Sequence, residues 1–242
     1  MSKIKLFCFP YAGGSAVIYN KWKPYLDSEI ELVPVELAGR GKRIRDAFYN
    51  DVPEVIEDVF NVVKEQIPQS PYALFGHSMG GMISYELAQK IRACNLRLPL
   101  HLFVAGRSAP HVKRPDEKKY HLMSDADFKA EVIGLGGTPV EFFEHPELMN
   151  ILLPLLKNDF RIAEADRAMN EIQPLDGNIT VFFGKDEDLT PEQCDGWKKH
   201  TKQLCSIHYF EGGHFFLHTQ TEQIVNFINR TLSSTANPLK KF

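Results

Sequence analysis

Short, almost unbroken apolar runs alternate along the chain with longer stretches in which apolar residues recur at three- and four-residue intervals. The runs are KIKLFCF (3–9), ELVPVEL (31–37), YALFG (72–76), LPLHLFVAG (98–106), ITVFFG (179–184) and SIHYF (206–210). Their length and their content of β-branched and aromatic residues predict strands. The periodic stretches are VPEVIEDVFNVVKEQI (52–67), GMISYELAQKIRA (81–93), TPEQCDGWKKHTKQL (190–204) and TEQIVNFINRTL (221–232), and they predict amphipathic helices. Strands that lack polar alternation are apolar on both faces and need cover on both. The expected fold class is therefore α/β, with a mostly parallel central sheet flanked by helices.

One segment breaks the rhythm. From 111 to 175 no strand run occurs, whereas SDADFKAEVIGL and HPELMNILLPLLKNDFRIAEADRAM carry helical periodicity. A helical insertion between two strands of an open sheet emerges above the carboxyl ends of the strands, where ligands bind in this class, so a lid is expected there. No repeat and no Pro/Gly/Ser linker divides the chain, which predicts one domain over 1–242 with the 111–175 lid inserted.

Composition narrows the picture only by exclusion. Lys and Arg number 28 against 31 Asp and Glu, a formal charge of -3, so no broad electrostatic argument for nucleic acid arises. The densest apolar run, ILLPLL, is short and holds a proline, well below the roughly 20 residues of a membrane span. Cys8, Cys94, Cys194 and Cys205 are scattered without CxxC or metal-ligand spacing, and MSKIKLFCFP turns polar too soon for a secretory signal. A soluble, cytoplasmic protein is expected, with no metal, and a monomer by default.

Chemistry enters at LFGHSMGG (74–81), where the third strand run gives way to a helical pattern. Gly76-His77-Ser78-Met79-Gly80 at a strand-to-helix junction is the pattern of a nucleophile elbow, a strained turn that lifts the serine hydroxyl above the sheet. The flanking glycines are expected because strand and helix approach too closely for side chains. A serine needs an imidazole to take its proton, and the imidazole needs an acid to orient it; in elbows of this kind the chain order is Ser, acid, His. Of nine histidines, His77 lies inside the elbow, and His101, His111, His121 and His145 precede any acid that follows the fifth predicted strand. His200 falls in a helical pattern and His208 in a strand pattern. His214, on the loop after Gly212-Gly213, is the favoured base, with His218 as the alternative.

The acid belongs on the loop after ITVFFG, which reads GKDEDL (184–189) and offers Asp186, Glu187 and Asp188. The oxyanion of acyl attack needs two backbone donors. The Met79 N–H is expected to supply one, and the glycine-containing loop FPYAGGS (9–15) the other, through Ala12 or its neighbour Tyr11.

Several blocks in order, FCFPYAGGS, ELAGRGKR, LFGHSMGGMISYELA, LLPLLKNDFRIAEA and EGGHFFL, resemble the type II thioesterases, free-standing α/β-hydrolases that serve nonribosomal peptide and polyketide synthases. The resemblance runs from about residue 5 to 232. It implies hydrolysis of acyl groups held as thioesters on the phosphopantetheine arm of an acyl- or peptidyl-carrier protein, an editing role that clears misloaded or stalled arms, and no cofactor. It implies Ser78 as nucleophile and His214 as base.

For the acid it implies an aspartate. Counting three residues from the strand-ending Gly184 favours Glu187, whereas aligning on Thr190-Pro191 and Trp197 favours Asp186. The expectation is Asp186, then Asp188. The basic stretch RGKRIR (40–45) is a candidate contact for the carrier or its phosphate. Competing expectations are a carboxylesterase or lipase-like enzyme for oxygen esters, and a noncatalytic carrier-binding protein.

Overall fold

The computed structural model describes residues 2–112, 118–137, 145–165 and 171–236. Six strands, β1 (Ile4–Phe9), β2 (Ile30–Pro34), β3 (Tyr72–His77), β4 (His101–Ala105), β5 (Asn178–Gly184) and β6 (Cys205–Phe210), form one sheet in the order β2-β1-β3-β4-β5-β6. Every pairing is parallel. All six residues of β3 are buried, as its apolar run Tyr72–Phe75 requires of a central strand covered on both faces.

Helices α1 (Val52–Lys64) and α2 (Met79–Ala93) cover one face, and a 3-10 segment (Ala16–Tyr25) with α6 (Thr221–Ala236) covers the other. Helix α1 shows why these stretches fold as they do. Asp51 caps it by accepting the Glu54 N–H at 2.9 Å, Pro53 stands in its first turn, and Val55, Ile56, Val59, Phe60 and Val63 make its buried stripe. The predicted helix over 190–204 is shorter: α5 (Pro191–Asp195) gives way to 3-10 turns over Gly196–His200.

Between β4 and β5 lie α3 (Asp125–Leu135) and α4 (Pro146–Ala163), as the periodicity predicts. Parts of the expected 111–175 insertion, at 113–117, 138–144 and 166–170, fall outside the described residues. Phe128, Val132 and Leu156 centre a small apolar cluster of this region, with Leu152, Leu153 and Phe160 packed around it. These side chains pack the two helices on each other, and Leu156 also reaches Gly13 on the loop after β1.

Burial of several histidines makes the fold pH-sensitive. Desolvation pushes His101 down to about 4, and desolvation first, with His111 and Lys199 adding, does the same to His200. Each is neutral when folded and takes up a proton on unfolding below its ordinary value near 6.5, so stability is present in full above that pH and is lost as pH falls from about 6.5 toward 4. Urea midpoints should be flat near pH 7–8 and drop through this window. In His101→Gln the slope should shrink by about 1.4 kcal/mol per pH unit, one proton's worth; an unchanged slope would contradict the assignment.

Candidate active site

Ser78 stands between β3 and α2 at φ 54 and ψ -112, a conformation that side chains other than glycine rarely adopt and that costs of order 1–3 kcal/mol. The turn is possible because its flanks carry no side chains. A Cβ on Gly76 would lie 1.9 Å from the Gly80 carbonyl oxygen, and one on Gly80 would lie 2.0 Å from that of Phe9. The elbow is therefore pressed against both the start of α2 and the end of β1. The Ser78 N–H donates to the Ala105 carbonyl at 2.7 Å, which ties the strained residue to β4.

His214 lies on the loop after β6, as its position beyond Gly212-Gly213 suggests. Its Nδ1 is 2.7 Å from Oε2 of Glu187, whose side chain is only 8% exposed. This corrects the expectation of Asp186. The loop closes as a turn in which the Glu187 N–H donates to the Gly184 carbonyl at 3.3 Å, and the Gly184 N–H donates to Glu187 Oε1 at 2.8 Å. The residue three beyond Gly184 is thereby folded back beneath the strand end, toward His214.

Asp186 uses its N–H on the Gly212 carbonyl at 3.1 Å and, like Asp188, is exposed at the cavity edge. Glycine sets this register at close quarters, since a Cβ on Gly184 would lie 2.3 Å from the Gly212 carbonyl oxygen. The extra methylene of glutamate lets one carboxylate reach both donors.

Ser78, His214 and Glu187 line one cavity of about 560 Å³. Tyr11 and Ala12 from the β1 loop line it too, as do Tyr120, Leu135 and Phe160 from the helical insertion. The N–H groups of Met79 and Ala12 donate no hydrogen bond among the described residues, although nearby backbone donors are paired. A hydroxyl on a strained elbow, an imidazole oriented by a buried carboxylate, and two free amides beside them can perform nucleophilic acyl transfer. Among the described residues no cluster of His, Cys, Asp and Glu could hold a metal ion.

Residues 4–232 match the family model described as a thioesterase domain. The chain belongs to the thioesterase family. It is 38% identical to linear gramicidin dehydrogenase LgrE of Brevibacillus parabrevis, over 96% of this chain and 89% of that protein. Its fold is similar to ClbQ from the colibactin NRPS/PKS pathway, with a TM-score of 0.89, 34% identity, and 97% of this chain and 99% of that chain covered. It is likewise similar to the type II thioesterase BorB from the borrelidin biosynthetic cluster, with a TM-score of 0.84, 32% identity, and coverage of 95% and 93%. The family model and the elbow make this chain a serine hydrolase acting on thioesters.

Other histidines of the thioesterase have different partners. His218 Nδ1 lies 2.8 Å from Lys21 Nζ and its Nε2 lies 2.9 Å from the Tyr11 hydroxyl. Desolvation first, then Lys21, pushes it down to about 4, so the ring is neutral and accepts from the ammonium at Nδ1. Both nitrogens are committed away from Glu187, and His218 instead tethers Tyr11. His77 is fully buried beside His214, with ring centroids 5.0 Å apart, and desolvation holds it well below the ordinary histidine range. The basic stretch is largely internal bonding: Arg40 is buried on Asp159, and Arg43 pairs with Asp58 at 2.6 Å and Asp46 at 2.7 Å. Of its cations, Lys42 and Arg45 stay exposed.

Asp159 escaped the sequence reading although a signal existed. Leu152, Leu155, Leu156 and Asp159 fall at i, i+3, i+4 and i+7, so a lone aspartate occupies the apolar stripe of a helix, where only a buried partner makes it tolerable.

Proposed function

We propose that the enzyme hydrolyses acyl groups carried as thioesters on the phosphopantetheine arm of acyl- or peptidyl-carrier proteins, and that it clears misloaded or stalled arms in nonribosomal peptide or polyketide synthesis. Ser78 Oγ attacks the thioester carbonyl while His214 Nε2 accepts its proton, and Glu187 holds the Nδ1 proton and stabilises the imidazolium. The Met79 and Ala12 N–H groups receive the oxyanion. The C–S bond breaks as the imidazolium gives its proton to the departing thiolate; His214 then deprotonates water that attacks the acyl-Ser78 ester and returns that proton to Ser78 Oγ as the acid leaves. No cofactor takes part in this sequence.

The observation that carries the reading is the joint one: the strained Ser78 and the Glu187-oriented His214 share a cavity roofed by the insertion, in a chain whose relatives come from NRPS/PKS pathways. Leu135 and Phe160 offer the apolar wall that an acyl chain needs, and α3 and α4 form the lid over it. We place the enzyme in the cytoplasm, a reading supported by four cysteines in the free form. The test is a side-by-side comparison of an acyl-loaded carrier protein with a simple oxygen ester of the same acyl group. kcat/KM should favour the carrier thioester by about 10-fold or more, about 1.4 kcal/mol of transition-state binding; preference for the oxygen ester would return the enzyme to the esterase class.

A further inference from the structure

The loop after β1 turns over Tyr11–Gly14. The Gly14 N–H donates to the Tyr11 carbonyl at 2.9 Å, Gly13 has φ +76, and Ala12 does not have positive φ, which together define a type II turn with Ala12 and Gly13 at its centre. The Tyr11–Ala12 peptide is trans, so with its carbonyl aimed across the turn its N–H points the other way, out of the turn. The next peptide ties the loop to α4. Its N–H, that of Gly13, donates to Asp159 Oδ2 at 2.7 Å.

The exit of the turn is held as well. The Gly14 carbonyl accepts from Arg40 Nη1 at 3.1 Å, and Arg40 Nε reaches the Ala38 carbonyl at 3.3 Å. Arg40 and Asp159 grip each other in a two-bond fork of 2.6 and 2.7 Å, and they are 3% and 1% exposed. Leu156, one turn earlier on α4, lies over Gly13, where a Cβ would come within 2.3 Å of its Cδ2. Burying two charges is an expensive way to seat a helix that apolar contacts could seat alone. What the pair adds is direction: a carboxylate fixed by the guanidinium presents one lone pair to a single backbone N–H.

We infer that Asp159, fixed by Arg40, is a positioning residue that locks the Tyr11–Gly14 turn so that the Ala12 N–H stays aimed at the oxyanion. The lid helix α4 thereby becomes part of the oxyanion site, and the site is fully formed only with α4 seated on the body. This rests on the reading of Ala12 as an oxyanion donor.

The test compares wild type with Asp159→Asn and with the apolar pair Arg40→Met/Asp159→Leu, which removes both buried charges together and so protects folding. kcat and KM are measured on an acyl-loaded carrier protein below the thermal midpoint of each variant. Binding is measured for an alkyl boronic acid, which forms a tetrahedral adduct on Ser78, and for an uncleavable thioether analogue of the substrate. kcat should fall by about 10²-fold, the usual cost of a misplaced catalytic group, and boronate affinity should fall with it. KM and thioether affinity should stay within about twofold. An unchanged kcat per folded enzyme, or equal losses for boronate and thioether, overturns the inference.

Ala12→Pro separates it from the underlying reading, because type II turns accept proline at this position and the substitution replaces the donor N–H with a ring methylene. If Ala12→Pro keeps full kcat, the oxyanion reading fails and the inference with it. If Ala12→Pro is impaired while the Asp159 variants are not, the inference alone fails. If both are impaired, adding Asp159→Asn to Ala12→Pro should cost little more, since both act through one donor.

Discussion

Ser78→Ala should lower kcat/KM on an acyl-loaded carrier protein by about 10⁶-fold, the scale seen when a serine hydrolase loses its nucleophile. The size follows from what remains. Without Oγ there is no acyl-enzyme, and His214 can only assist water from a position built for a different attacking atom; the two backbone donors would still leave about 10³-fold catalysis over water. Folding should be unaffected, because alanine at φ 54 bears much the same backbone strain as serine and the hydroxyl makes no hydrogen bond among the described residues. Mass spectrometry during turnover should show an acyl adduct on wild type and none on the variant. Activity retained within about tenfold would remove Ser78 from the mechanism. Clearing of stalled carriers that survives loss of hydrolysis would instead favour a protein that acts by binding alone.

Strands and most helices were legible because burial on both faces leaves an unmistakable apolar signature. β3 is apolar from Tyr72 to Phe75 and buried throughout. Sheet order was not legible, since β1 pairs with both β2 and β3 through contacts that no local pattern records. The helix predicted over 190–204 breaks where Gly196 passes close to Ala109, a Cβ there falling 2.8 Å from the Ala109 Cβ. That is a tertiary constraint invisible to periodicity. The Ala16–Tyr25 segment went unread because a 3-10 path with an internal proline shows no 3.6-residue stripe.

The same division runs through the site. Ser78 and His214 sit in local sequence contexts, a glycine-flanked elbow and a post-strand glycine pair, that fix their geometry almost unaided. The acid does not. Three consecutive carboxylates give alternative registers, and the choice is made by the neighbouring loop: Gly212 takes the Asp186 N–H and crowds Gly184, which turns residue 187 inward. Arg40 and Asp159 show the limit from the other side. Arg40 reads as an ordinary surface charge, and the stripe position of Asp159 says only that it needs a buried partner; the fold brings the two together across 119 positions.

Glu187→Gln should therefore lower kcat/KM by about 10³–10⁴-fold, while Asp186→Asn and Asp188→Asn stay within about threefold of wild type. The asymmetry can be argued atom by atom. The carboxylate accepts twice, from the Gly184 N–H at Oε1 and from His214 Nδ1 at Oε2. An amide has a single acceptor oxygen, and the Gly184 N–H, a fixed backbone donor at 2.8 Å, claims it. The amide NH₂ is then left facing His214 Nδ1, which must accept rather than donate. That places the imidazole proton on Nε2, the atom that has to take the proton from Ser78, and the base is blocked while the fold is unchanged. The loss should appear in kcat with KM nearly constant, and a higher pH should not restore it, because the fault is a tautomer and not a charge. A larger loss in Asp186→Asn than in Glu187→Gln would show that the loop rearranges when substrate binds and that the aspartate register is the working one.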